Sequence, residues 1–193
     1  PAFREKIDSK CQEWQNRMQK EMTVMTEEAF HEGLEGVVAA ESSICLIDGK
    51  NSKLMYRGYD IHELAAKSTF EETAYLLLYG KLPSEKELAA FCEQLASERS
   101  IPEGLLKFIA TFPKGVQPMA ALRSAGSALA FYDVEAEDKS IESNFRKAVR
   151  LVAKTPTMVA SFERLRSGGS PVEPKRDASW STAKNFLYML IGK

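Results

Sequence analysis

Apolar side chains recur along residues 4–25 at Ile7, Cys11, Trp14, Met18, Met22 and Met25, in steps of four, three, four, four and three. That spacing predicts one long helix with a single apolar stripe. Its polar face carries both signs of charge, so the stripe is suited to a partner helix or to the protein's own body rather than to a membrane surface. The period then changes. Ser43 to Ile47 is rich in β-formers, Asp48 to Ser52 is turn chemistry, and Lys53 to Arg57 resumes an extended pattern. This predicts a single hairpin with a five-residue loop, which has to lie on helices because a lone two-stranded ribbon is marginal in water.

After Gly58 the pattern is helical, and its start signals are regular. Asp60 precedes Glu63, Thr69 precedes Glu72 and Ser84 precedes Glu87, each pair three residues apart as in a capping box. Gly80 supplies a left-handed stop, and Leu88, Phe91 and Leu95 mark the buried stripe of the third helix. Pro102, Pro113 and Pro118 delimit helices over about 103–111 and 118–131. The second puts Ala121, Ser124, Ala125 and Ala128 on one face, which suits close approach of another helix inside the fold or across a subunit boundary. Gly126 in its interior is then read as making room for a neighbouring backbone. Ile141, Phe145, Ala148, Val149 and Val152 give a 3.6-residue face. Thr155 and Pro156 read as the N-cap and first residue of a separate helix that runs to Gly168 and Gly169. A loop from Ser170 to Arg176 leads to a last helix carrying Ala183, Phe186, Leu187 and Leu190, which stops abruptly at Gly192 and Lys193. The expected fold class is all-α, multi-helical, with one small hairpin.

Charge narrows the partners. With 26 Lys and Arg against 27 Asp and Glu, the formal net charge is −1, which removes the electrostatic footprint of a nucleic-acid binder. No apolar run approaches the ~20 residues of a membrane helix. The opening PAFREKIDSK has no apolar core of a secretory signal, so the expected compartment is the cytoplasm. Cys11, Cys45 and Cys92 are odd in number and far apart, and they read as small apolar fillers rather than as a disulfide or zinc framework. The only histidines are His31 and His62, which caps the acid–base chemistry available.

No dinucleotide fingerprint, phosphate loop or nucleophile elbow is present. Gly33 and Gly36 lack the strand-then-helix context of a phosphate site. His31 has no second ligand nearby in sequence, and His62, in the first turn of a helix, reads as structural. Arg57, Arg123, Arg146, Arg150, Arg164, Arg166 and Arg176 are able to meet phosphates or carboxylates, but the sequence singles out none of them. The residues alone therefore predict a helical body with no reaction centre, and no catalytic, cofactor-binding or metal-binding residue is assigned.

A set of ordered motifs carries a resemblance. GVVAAESSI at Gly36–Ile44, IDG from Ile47, LMYRGYDI at Leu54–Ile61, TFEETAYLLLYG at Thr69–Gly80 and LPS from Leu82 occur in order, followed by Pro118-Met119, PTMVA from Pro156 and NFLYML from Asn185. Together they resemble the opening of bacterial citrate synthases and 2-methylcitrate synthases, from about residue 34 to 192. The position before Pro118, commonly histidine in that family, is Gln117 here. The resemblance divides the chain into a helical extension, 1–33, and the N-terminal part of a large helical domain, 34–193, with the rest of that domain and a small domain absent.

The resemblance implies an acyltransferase of the tricarboxylic acid cycle. The methyl carbon of acetyl-CoA, the co-substrate, adds to the ketone of oxaloacetate to give citrate and CoA. An aspartate takes the methyl proton, one histidine stabilises the enol and a second protonates the forming alcohol. Both the carbon acid and the carbonyl need activation, and no metal or redox cofactor is called for. In the family those residues lie beyond the NFLYML segment, so neither His31 nor His62 inherits their roles and this chain alone is expected to be inactive. Alternatives of the same resemblance are a 2-methylcitrate synthase using propionyl-CoA, a non-catalytic helical pairing module, or one subunit of a split enzyme. Family members are commonly homodimers, and the 118–131 helix is the expected pairing element.

Overall fold

A computed structural model of the chain describes residues 37, 38 and 40–192. The predicted helix over 4–25, the extension 1–33, Cys11, His31 and the Gly33 to Gly36 turn lie outside the described residues. The remainder is an all-α body with a small antiparallel sheet, in agreement with the expected class.

The sheet holds one strand more than predicted. β1 (Cys45–Asp48) pairs with β2 (Lys53–Tyr56) in the register Cys45 to Tyr56 and Asp48 to Lys53, and β2 pairs in turn with a two-residue β3 (Tyr59–Asp60). The extra pairing rests on a tight two-residue turn, Arg57-Gly58, in which both residues have positive φ, 48° and 86°. Such a turn matches the twist of a hairpin and is normally marked by Asn-Gly or Asp-Gly. An arginine in the first position disguises it. The sheet sits on α1 (Ile61–Lys67) and α2 (Phe70–Tyr79) through Tyr56, Tyr59, Leu64 and Leu76.

The caps follow the sequence closely. Thr69 with Glu72 and Ser84 with Glu87 form full capping boxes at the starts of α2 and α3 (Glu85–Glu98), and Gly80 ends α2 in the left-handed conformation at φ 80°. Asp60 accepts the His62 N–H at 2.8 Å, so it caps α1, while Glu63 does not complete the predicted box. α4 (Glu103–Ala110) and α5 (Pro118–Ala128) begin where the prolines predict, and a 3₁₀ turn (Leu129–Tyr132) completes the span assigned to the second of them.

The predicted break at Thr155-Pro156 is absent. One 26-residue helix, α6 (Ile141–Arg166), runs through Pro156. Proline removes the N–H that would bond the Val152 carbonyl, a cost of about 3 kcal/mol in a helix interior. Packing on both sides of the proline offsets it. Val149 and Ala153 pack with Tyr75, Phe91 and Leu95 of α2 and α3, while Met158 and Phe162 pack with Leu105, Ile109, Ala121 and Ala125 of α4 and α5. Thr155 donates its hydroxyl to the Leu151 carbonyl at 2.7 Å instead of acting as a cap.

α7 (Thr182–Ile191) closes the described chain against α6. Its buried positions are Asn185 and Met189, whereas Leu187 is 52% exposed, so the face predicted through Ala183 and Leu187 is turned away from the core.

Candidate functional site

A cleft of about 580 Å³ opens between the end of α3, the 3₁₀ turn and α6. The end of α3 supplies Glu98, and the connection to α4 supplies Ser100, Ile101 and Pro102. α5 and the 3₁₀ turn supply Gly126, Leu129 and Tyr132, and one side of α6 supplies Lys147, Arg150, Leu151 and Lys154. The volume lies in the range that holds a small ligand. On α6 the three cations are spaced by the helical repeat, so Lys147, Arg150, Leu151 and Lys154 share one side while the opposite positions Val149 and Ala153 enter the core.

The cations are held in place by carboxylates and carbonyls. Arg150 grips Asp133 with two bonds of 2.9 Å and reaches Glu135 at 2.8 Å. Arg146 pairs with the same Glu135. These two guanidiniums, Arg146 first, hold the Glu135 carboxyl down at about 2. Lys154 donates to the Glu98 carboxylate at 2.8 Å and to its carbonyl at 2.7 Å. Two cations of the cleft meet no carboxylate among the described residues: Lys147 donates to the main-chain carbonyls of Ala136 and Asp138, and Arg176 donates to the Ser100 hydroxyl at 3.0 Å. With apolar walls from Ile101, Leu129 and Leu151, the cleft can take a ligand that carries a negative group on an apolar frame.

Gly126 is open to this cleft rather than crowded. A Cβ built there meets nothing within 4 Å, so the expected neighbouring backbone is not present. Gly104 is crowded instead: a Cβ there collides with the Tyr132 hydroxyl, so the bare backbone of α4 lets the Tyr132 ring lie against it.

A second polar cluster fastens the α6–α7 loop. Arg99, at the end of α3 and only 4% exposed, donates to the carbonyls of Lys175 at 2.9 Å, Asp177 at 3.2 Å and Trp180 at 2.5 Å. Its own carbonyl accepts the Thr157 hydroxyl at 2.7 Å. Buried Glu71 accepts the Thr182 N–H at 2.6 Å, and buried Asn185 accepts the Lys175 N–H at 2.9 Å. Burial pulls the Arg99 pKa below its ordinary value, and the Glu71 charge opposes that pull.

The residues considered from sequence scatter. His62 is exposed. Cys45 is an exposed thiol on β1, and Cys92 is half-buried on α3, where burial pushes its thiol up. Of the seven arginines, Arg150 and Arg176 line the cleft, and Arg146 joins Arg150 on Glu135. Arg57 instead binds Ser43 and the Leu77 carbonyl, Arg164 the Ser170 carbonyl, and Arg166 the Glu163 carboxylate. Arg99 escapes sequence reasoning because nothing in its spacing distinguishes it from the exposed arginines. Among the described residues no three His, Cys, Asp or Glu side chains converge as a metal site requires, and no helix is long and apolar enough to cross a membrane.

Comparison with known proteins gives this arrangement a lineage. The family model described as "Citrate synthase, C-terminal domain" matches residues 33–193. Citrate synthase 2 of Bacillus subtilis is 46% identical over 162 residues, covering 83% of this chain and 42% of the relative. Citrate synthase of Haloferax volcanii is 44% identical over 165 residues, with coverage of 83% and 43%. A citrate/2-methylcitrate synthase of Bacillus subtilis is 37% identical over 164 residues, 85% of this chain and 44% of that protein. Among solved structures, citrate synthase from Pyrobaculum aerophilum superposes with a TM-score of 0.76 at 37% identity, over 83% of this chain and 42% of its own. The Thermoplasma acidophilum enzyme, solved with carboxymethyl coenzyme A and oxaloacetate, gives 0.78 at 27% identity, over 86% and 43%. The chain thus spans about two-fifths of the length of these relatives. By sequence over most of its length, and by the path of its helices, the chain belongs to the citrate synthase family.

Proposed function

We propose that this chain is the scaffold portion of a citrate synthase-type acyltransferase, which condenses acetyl-CoA with oxaloacetate to release citrate and CoA. The observation that carries this reading is the ordered match over residues 33–193, in which the chain covers 42% of its relative in Bacillus subtilis. The two histidines and the aspartate that the chemistry needs are then supplied by polypeptide outside this chain. Oxaloacetate and acetyl-CoA are the substrates of the complete enzyme, and acetyl-CoA is its only cofactor-like component. Citrate is preferred over 2-methylcitrate as product because Citrate synthase 2 of Bacillus subtilis and the Haloferax volcanii protein carry the former name at higher identity than the citrate/2-methylcitrate enzyme. The acyl-chain preference is a matter of one methylene, about 1–3 kcal/mol.

The complete enzyme is proposed to be a homodimer that uses the outer side of α5. Met119 is 72% exposed there, and the neighbouring Phe131 and Val134 are exposed as well, a grouping that supports pairing. The test is release of CoA thiol from acetyl-CoA and oxaloacetate. The chain by itself is expected to give no turnover above background, and the same chain continued by the remainder of a family member is expected to be active. Robust thioester cleavage by the chain alone overturns the proposal.

A further inference from the structure

We draw no further inference here: the strongest candidate, the cleft that Lys147, Arg150 and Lys154 line beside the 3₁₀ turn, belongs to the site already described, and nothing among the described residues shows what fills it.

Discussion

At the scale of single residues, Gly126 occupies a helix interior without a steric reason, since a Cβ there meets nothing within 4 Å. Glycine in such a place costs about 1 kcal/mol relative to alanine. Gly126→Ala is therefore expected to stabilise the chain by up to about 1 kcal/mol, read as a raised midpoint in thermal or urea unfolding. A lowered midpoint contradicts the open space. Acid sensitivity is also set by individual side chains. The Lys81 ammonium, followed by the Ser84 backbone and hydroxyl, holds Glu87 at about 2 rather than its ordinary 4.5, and Glu135 is held at about 2 by Arg146 and Arg150. Both carboxylates have a folded-state pKa below the unfolded one, so their contribution is complete above about pH 4.5. It drains away as the pH falls towards 2. Urea midpoints measured across that window should fall with pH, and Glu87→Gln should flatten some of the slope. An unchanged slope in the variant counts against the Glu87 contribution.

At the scale of elements, α5 turns its stripe of small residues to the interior of the fold, the first of the two uses its pattern allows. The small residues predict close approach, and the structure has it: Ala121 and Ala125 press into α4 and α6, with Ala125 only 2% exposed. Ala125→Trp consequently overfills the core, at a cost of about 3 kcal/mol or more. It should unfold the chain rather than merely dissociate a dimer. Met119→Arg, on the outer side of the same helix, should leave stability unchanged and weaken self-association in sedimentation. The reverse pair of outcomes would put Ala125 at a subunit boundary. The capping boxes of α2 and α3, the stop at Gly80 and the proline starts of α4 and α5 were all legible, because each depends on contacts within a few residues. β3 and the unbroken α6 were not, because an arginine fills a turn position usually taken by asparagine and because tertiary packing outweighs the local penalty of Pro156.

At the scale of the whole molecule, the cleft and the Arg99 cluster were illegible for a common reason. Their members come from segments far apart in sequence: Arg99 bonds residues 76 to 81 positions away, and Lys154 bonds Glu98 across 56. Spacing along the chain carries no trace of such meetings, whereas the ordered motifs exposed the family without revealing either cluster. Arg99→Met leaves three carbonyls of the α6–α7 loop without their donor, at a cost of about 2–4 kcal/mol. Hydrogen exchange is the direct measurement: amides of α7 should exchange much faster in the variant, while those of α4 keep pace with the parent protein. Uniform acceleration throughout would make Arg99 a general stabiliser rather than a local fastener.

Among the described residues the Arg99 guanidinium donates to main-chain oxygens alone, those of Lys175, Asp177 and Trp180. Every amino acid offers the same oxygen, so the identity of the side chains along that connection is invisible to the grip. A substitution along the connection between α6 and α7 therefore leaves this grip intact, whereas a change of the arginine itself releases it.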